Sequence, residues 1–193
     1  MLDCLYRYRM INRDESFALL EKYLKDDKLL KHSLAVEIIL VKMARNLEED
    51  ERVWGLTGLL HDLDYEYTQG EPEKHAAVSA QILEGLLPKD AVNAIKAHNY
   101  MHTDYIPTTT LDKALIAADA VSGLIIATAL VMPSKKLFEV ELKTLLNKFR
   151  DNSFARGCNR NKIELCLDIG INQERFLELS LNALKEISDK LDL

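Results

Sequence analysis

The sequence predicts an all-α protein, and three features support this fold class. The 193 residues include seven Gly and four Pro, so signals for tight turns are few. Apolar residues in the long stretches rich in Leu, Ala, Lys and Glu recur at steps of three and four, which is the period of an amphipathic helix. With 48% hydrophobic residues, the chain can bury a sizeable core. We expect a helical bundle in residues 1–133 and a C-terminal helical extension in residues 134–193, packed together as a single compact unit.

The first two predicted helices begin at aspartates that can act as N-caps. Asp14 can cap a short helix, and Asp27 can cap a second helix that runs to about Asn46. On the second helix, His32 falls among apolar residues spaced three and four positions apart. We therefore expect His32 on the apolar face of this helix.

A third helix is predicted from Glu48 to about Asp64. Its first turn is acidic, which the positive end of the helix dipole favours. The adjacent residues His61 and Asp62 lie near its C-terminal end, so their side chains should emerge where the helix stops.

Prolines mark the starts of the next two predicted helices. Pro72 suits the first turn of a helix that carries His75, and Pro88 opens a shorter helix that carries His98. The residues from 100 to 110 are predicted to form a loop.

The segment Ala114–Met132 is the stretch that could pass for a membrane span by length and composition. Asp119 lies near its middle, and a central Asp costs a lone spanning helix roughly 2.5–3.5 kcal/mol. We therefore expect a buried core helix that ends at Pro133, and no membrane association. After a basic region over residues 134–170, Asn172 can cap a final amphipathic helix.

Net charge and cysteine content bear on partners and compartment. The formal net charge of −6 gives no broad cationic surface of the kind that binds duplex nucleic acid, so nucleic acid is predicted to be an unlikely partner. Cys4, Cys158 and Cys166 show no CxxC spacing, which indicates neither a disulfide framework nor a thiolate zinc site. The N-terminus is too charged for a signal peptide. We expect a cytoplasmic location, and the sequence leaves the oligomeric state open.

All five histidines lie within the first 102 residues, and most fall on or at the ends of predicted helices. A single histidine on an apolar face is more often a hydrogen-bonded core residue than a metal ligand. Asp119 is harder to explain in that way, because a carboxylate inside an apolar helix must be neutralised, hydrogen-bonded or bound to a cation. One metal site accounts for His32, His61, Asp62 and Asp119 together. Imidazole and carboxylate ligands suit divalent Mn, Fe, Co, Ni or Zn.

These residues also resemble a family signature. Lys31-His32-Ser33, then Gly58-Leu59-Leu60-His61-Asp62-Leu63-Asp64, then Ala117-Ala118-Asp119-Ala120 are similar to the H…HD…D pattern of the HD-domain metal-dependent phosphohydrolases. The resemblance covers roughly residues 25–132. It implies a helical bundle whose first His, His-Asp pair and distal Asp converge on a metal ion.

The resemblance leaves open whether the chain binds one or two divalent ions. Some members of the family add two histidines between the His-Asp pair and the distal Asp, and these complete a binuclear centre. His75 and His98 occupy those places here, with Asp62 as the carboxylate that would bridge both ions.

Two further residues are candidates for the chemistry beside Asp62. Asp64 could orient a ligand or a water, or it could be a solvated carboxylate at a helix end. His102, four residues after His98, could face the substrate or support a ligand, or it could be a plain loop histidine.

A basic stretch between residues 148 and 160 is a candidate phosphate clamp, because guanidinium groups bind phosphate oxygens in pairs and Lys adds a point charge. A solvated charged surface is the alternative. The stretch is similar to a Phe-Ala-x-Gly-x-Asn-Arg segment that follows the metal domain in a group of uncharacterised HD proteins. The predicted substrate-binding residues are Lys148, Arg150, Arg156 and Arg160.

The resemblance implies hydrolysis of a small phosphate ester or nucleotide by metal-activated water. An HD-fold di-iron oxygenase is one alternative, although Leu63-Asp64-Tyr65-Glu66 follows the His-Asp pair where those oxygenases tend to place a substrate-binding Lys. A module that senses a nucleotide or metal without turnover is the other alternative.

Overall fold

A computed structural model describes residues 9–193. Its described residues form helices and no strand, which confirms the predicted all-α class. Cys4 and the N-terminal segment lie outside the described residues, and Cys158 and Cys166 are free thiols. The α-helices are α1 Arg13–Tyr23, α2 Asp27–Leu47, α3 Glu51–Leu60, α4 Tyr65–Thr68, α5 Ala77–Leu83, α6 Lys89–His98, α7 Thr110–Leu130, α8 Leu142–Arg150, α9 Arg160–Glu164, α10 Gln173–Glu186 and α11 Ser188–Leu191. Short 3₁₀ turns occur at Leu137–Glu139 and Leu167–Ile169.

The N-caps of the first two helices differ from the predicted ones, and the third helix begins at Glu51, not at the predicted Glu48. Asn12 caps α1 and forms a capping box with Glu15, while the predicted cap Asp14 lies in the first turn. Asp26 caps α2, and Asp50 caps α3 by accepting hydrogen bonds from two backbone N–H groups. In each case the observed cap is the residue whose side chain can reach an unpaired N–H of the first turn.

The segment before α5 corrects a second expectation. The helix predicted to begin at Pro72 begins instead at Ala77, and His75 lies in the preceding turns. Ala76 adopts a left-handed conformation with φ of 72°, which interrupts helical geometry between His75 and α5. By contrast, Asn172 caps α10 as predicted.

The close packing of α2 against α3 depends on two glycines. A Cβ added to Gly58 would lie 2.9 Å from the carbonyl oxygen of Val36, and one added to Gly55 would lie 2.8 Å from a methyl group of Val41. Glycine at both positions lets the two helices approach closely, so the end of α3 is fixed beside the middle of α2.

Helix α7 runs through the centre of the described fold and packs against α2, α6, α8, α9 and α10. By length and composition it could cross a membrane, and 61% of its most apolar window is buried inside the protein. Residues of the C-terminal extension, including the fully buried Phe176, belong to the same hydrophobic core as α2, α3 and α7. The division at residue 133 stays a prediction.

Candidate metal centre

Six side chains from five parts of the chain converge beside α7. His32 comes from α2, His61 and Asp62 follow the end of α3, His75 lies in the turns before α5, His98 is the last residue of α6, and Asp119 lies in the middle of α7. The structure therefore brings together all the residues that the sequence proposed as metal ligands. His61, Asp62 and His98 are buried, and His32 and His75 are partly exposed toward a cavity.

The carboxylate of Asp62 lies at the centre of this cluster. Its Oδ1 is 3.2 Å from Nε2 of His61, 3.3 Å from Nε2 of His98 and 3.4 Å from Nε2 of His75. Its Oδ2 is 3.7 Å from Nε2 of His32. All four imidazoles thus present the same nitrogen to one carboxylate.

Asp119 approaches the cluster from α7, on the side of His32. Its Oδ1 lies 3.2 Å from Nε2 of His32. The hydroxyl of Ser122, one turn later, donates to the backbone carbonyl of Asp119 and lies 3.3 Å from Nδ1 of His32. Since the single hydroxyl proton goes to that carbonyl, Nδ1 of His32 is the donor to Ser122.

Backbone carbonyls orient the two buried imidazoles. Nδ1 of His61 donates to the carbonyl of Gly58 at 2.8 Å, and Nδ1 of His98 donates to the carbonyl of Ile95 at 2.6 Å. A carbonyl can only accept, so each ring carries a proton on Nδ1. Nε2 of each ring is then available as a metal ligand.

Asp64 orients His75 in a similar way. Its Oδ1 accepts from Nδ1 of His75 at 2.8 Å, its Oδ2 accepts from the backbone N–H of Ser79, and the side chain is fully buried. Hydrogen bonds of this kind hold metal-ligating histidines in position. Asn99 supports the same turn, because its side-chain amide donates to the carbonyls of Pro72 and His75.

Burial and neighbouring charge shift the pKa values of the cluster in opposite directions. Burial lowers the pKa of His61 to about 4. Burial alone would raise the pKa of Asp119, but the hydrogen bond and charge of His32 bring it to about 2. Burial also opposes ionisation of Asp62, but the neighbouring imidazoles of His61 and His98 hold its pKa well below the usual range. Both carboxylates are therefore ionised at neutral pH.

The donor set fits divalent transition metals. Nε2 of His61 is buried and has no hydrogen-bond partner among the described residues, as expected of a nitrogen that faces a cation. Two groups have ligand atoms within 4.8 Å of one another: His32 with His61 and Asp62, and Asp62 with His75 and His98. The groups share Asp62. This cluster could hold metal, and imidazole with carboxylate suits Mn, Fe, Co, Ni or Zn.

Three adjoining cavities form a groove across the cluster. The central cavity, about 420 Å³, is lined by every proposed ligand except the fully buried His61, together with Tyr65, His102 and Lys162. The first side cavity, about 570 Å³, shares His75 and His102 with it and extends along Gln69 and Pro72. The second side cavity, about 410 Å³, shares His32, Asp119 and Lys162 with it and extends to Gly157. The metal cluster therefore lies midway along the groove.

The predicted basic clamp does not line this groove. The side chains of Arg150 and Arg156 are exposed away from it, and the ammonium of Lys148 lies 4.4 Å from the ring centroid of Phe154. The guanidinium of Arg160 points into its own loop, where it donates to six backbone carbonyls. These belong to Lys148, Phe149, Asp151, Phe154, Ala155 and Cys158.

Sequence reasoning missed Lys162, Asn99 and Ser79, which the structure places beside the ligands or their supports. Lys162 follows Arg160 by two residues, but guanidinium groups were favoured over lysine as phosphate ligands in this stretch. Asn99 directly follows His98, which is a signal that could have been used. His102 lines the central and first side cavities, and its part in the chemistry stays a prediction.

A helical bundle with a buried cluster of histidines and aspartates, open to a groove, defines a class of metal-binding protein. Within that class, residues 29–124 match the family model described as HD domain. The chain therefore belongs to the HD-domain family, as its sequence signature predicted, and this membership supports a hydrolase. No solved structure matched the chain.

Curated relatives carry the name Ribonuclease Y. The protein of Desulfotalea psychrophila is 30% identical over 167 residues, which cover 84% of this chain and 32% of that protein. The proteins of Acholeplasma laidlawii and Oleidesulfovibrio alaskensis are 28% and 33% identical over 96 residues, or 49% of this chain and 18% of each protein. The chain thus matches a third or less of each relative's length.

These relatives overturn one expectation from the sequence. Net charge predicted that nucleic acid is an unlikely partner, yet the relatives are named as ribonucleases. The prediction was wrong because net charge describes the whole surface, whereas a substrate meets only the residues that line the groove.

Proposed function

We propose that this protein is a metal-dependent phosphohydrolase that cleaves phosphodiester bonds in RNA. The observation that carries the proposal is the position of the metal cluster, midway along a groove that continues in both directions. A phosphomonoester ends at its phosphate, whereas a phosphodiester continues on both sides of it. The HD-domain match and the relatives' name support hydrolysis and RNA, respectively.

The same cluster provides for two metal ions in this proposal. His32, His61 and Asp119 would hold one ion, His75 and His98 would hold the other, and Asp62 would contribute to both. Bound divalent ions supply Lewis-acid polarisation of the phosphoryl oxygens and lower the pKa of bound water toward about 7.

Other residues of the chain would support the metal ligands or contact the substrate. Asp64 keeps His75 oriented, and Asn99 fixes the turn that carries it. His102 lines the cavity on the side where the groove continues toward Pro72. We assign His102 contact with the substrate or its leaving oxygen, because it lines the cavity there and an imidazole can accept or donate a proton.

Hydrolysis assays with protein loaded with Mn test the proposal. Elemental analysis would first establish metal content, and assays would then compare a short single-stranded RNA, the matching DNA and a set of nucleoside monophosphates, with and without oxygen. We expect cleavage within the RNA, independent of oxygen. Release of phosphate from monoesters with intact RNA would contradict the phosphodiester proposal, and turnover that requires oxygen would instead support the oxygenase alternative.

Asp119→Asn provides the matched variant, and we expect loss of metal and of activity together. Asp90→Asn is the control, because Asp90 is exposed at the opposite end of α6 from His98.

A further inference from the structure

Lys162 lies where the central cavity meets the second side cavity. It lines both cavities, and so do His32 and Asp119. Its neighbour Ile163 is fully buried in the hydrophobic core, which anchors α9 against α7. The side chain of Lys162 is partly buried, so its ammonium is held near the groove.

The ammonium of Lys162 forms no salt bridge with a carboxylate of the described residues. Other lysines of the protein do, such as Lys31 with Asp192, Lys42 with Glu186 and Lys113 with Asp168. The nearest aromatic partner of Lys162 is the ring of Tyr100, whose centroid lies 5.8 Å from Nζ. Among the described residues that line the groove, no other Lys or Arg is present.

The charge of the cluster explains why a substrate would need this lysine. The carboxylates of Asp62 and Asp119 both lie in the cluster, against Nε2 of His32, and would offset part of the positive charge of any bound ions. A phosphate that reaches the cluster therefore gains from a further fixed cation. Lys162 lines the same two cavities as Asp119 and can supply that cation.

The loop before α9 explains how Lys162 is positioned. The guanidinium of Arg160 donates hydrogen bonds to backbone carbonyls within residues 148–158. Asn159 caps α9 by accepting from the backbone N–H of Asn161. The loop therefore has a fixed internal scaffold, and α9 projects Lys162 from it toward the groove.

We infer that Lys162 binds the non-reacting oxygens of the substrate phosphate at the metal cluster. This inference rests on the proposed function, because it assigns a residue to the same site. It replaces the arginine clamp suggested by the sequence with a single lysine from the following helix. Because the contact is made before and during the reaction alike, loss of Lys162 should raise KM more than it lowers kcat.

The test compares Lys162→Gln, Lys162→Arg and the control Lys143→Gln, which removes an exposed charge on α8. Binding of inorganic phosphate to the protein loaded with Mn would be measured by calorimetry, and RNA cleavage by steady-state kinetics. Lys162→Gln should weaken phosphate binding and raise KM by about ten- to a hundredfold, the usual effect of losing a charge-assisted contact. Lys162→Arg should recover part of the loss, and Lys143→Gln should match the wild type.

The two measurements separate this inference from the proposed function. If the wild type cleaves RNA and Lys162→Gln has unchanged phosphate binding and unchanged KM, the inference is overturned and the proposed function stands. Phosphate binding that depends on Lys162 in a protein that cleaves no RNA would support the inference and contradict the RNA substrate. A loss of kcat at unchanged KM and unchanged phosphate binding would also overturn it. Unfolding curves of each variant would verify that the fold is retained.

Discussion

At the scale of single residues, each of the four cluster histidines has one ring nitrogen committed to a hydrogen bond. Two backbone carbonyls, the carboxylate of Asp64 and the hydroxyl of Ser122 hold these Nδ1 atoms. The opposite nitrogens are therefore oriented before any metal arrives. Such fixed geometry reduces the conformational entropy that metal binding must overcome.

Asp64 gives a direct test of this orientation. In Asp64→Asn, an amide replaces the carboxylate that accepts from both His75 and Ser79, so one of the two donors faces an N–H group. We expect about ten- to a hundredfold weaker binding of an ion at His75 and His98. Titration with Co²⁺, followed by its visible absorption, would measure this.

The exposed loop carboxylate Asp104 supplies the control variant, Asp104→Asn. If Asp64→Asn binds Co²⁺ with the stoichiometry and affinity of the wild type, Asp64 does not determine the metal-binding tautomer of His75.

The same histidines predict that metal binding releases protons near neutral pH. Burial opposes protonation of His32 and His75, but hydrogen bonds to Asp119 and Asp64 outweigh it and raise both pKa values above the ordinary 6.5. A metal ion must displace these protons, so metal affinity should fall as the pH drops through the raised pKa values. His61, with its pKa lowered to about 4, contributes only in more acidic solution.

Calorimetric titration of the metal in buffers of different ionisation enthalpy would count the protons released. The number should decrease as the starting pH rises above the pKa values of His32 and His75. A heat of binding that is the same in every buffer at neutral pH would contradict the prediction.

At the scale of elements, the meeting of α2 and α3 determines where His61 lies. Gly58→Ala would place a methyl group 2.9 Å from the carbonyl oxygen of Val36 and 3.0 Å from the backbone nitrogen of Glu37. Both are backbone atoms, so the helices must separate. We expect a loss of about 1–3 kcal/mol in the free energy of unfolding, measured by urea denaturation of the metal-free protein.

Metal affinity should fall in the same variant, because Gly58 also accepts the hydrogen bond that orients His61. Gly70→Ala is a suitable control, since a Cβ there meets nothing within 4 Å. Equal stability of the two variants would mean that the close approach of α2 and α3 is not required.

The helices and the proposed ligands could be predicted from the sequence because each depends on a local pattern. The apolar composition of α7 indicated a buried helix, and Asp119 within it stood out as a carboxylate that must be neutralised, hydrogen-bonded or bound to a cation. The sequence named Asp64 as a residue that could orient a ligand, but it could not identify His75 as that ligand, because the contact depends on turns that bring residues 11 positions apart together. The orientation of the Arg160 side chain could not be predicted either, because its partners are backbone carbonyls, which every residue has.

At the scale of the whole molecule, the chain has a net charge of −6. Among the described residues that line the groove, Lys162 is the single Lys or Arg. The proposed RNA binding should therefore depend weakly on salt. Each neutralised phosphate of a single strand contributes a slope of about −0.7 to the logarithm of affinity against that of salt concentration. With one such contact, we expect a total slope of about −0.7 for the wild type and one closer to zero for Lys162→Gln.

Fluorescence anisotropy of a labelled RNA over a range of KCl concentrations, at constant Mn, would give these slopes. A slope steeper than about −3 would require several phosphate contacts and would point to a cationic surface outside the groove.

Two separate parts of the chain line the groove. The six proposed metal ligands lie between residues 32 and 119, within the matched HD domain, whereas Gly157, Asn159 and Lys162 belong to the C-terminal extension. In the proposed function, the metal ligands and part of the substrate-binding surface are thus encoded in separate stretches of the gene. We therefore expect that a change confined to the extension can alter which substrate is accepted and leave every proposed ligand in place. Exchanging residues 148–162 between homologous chains is consequently a direct route to redesigning selectivity.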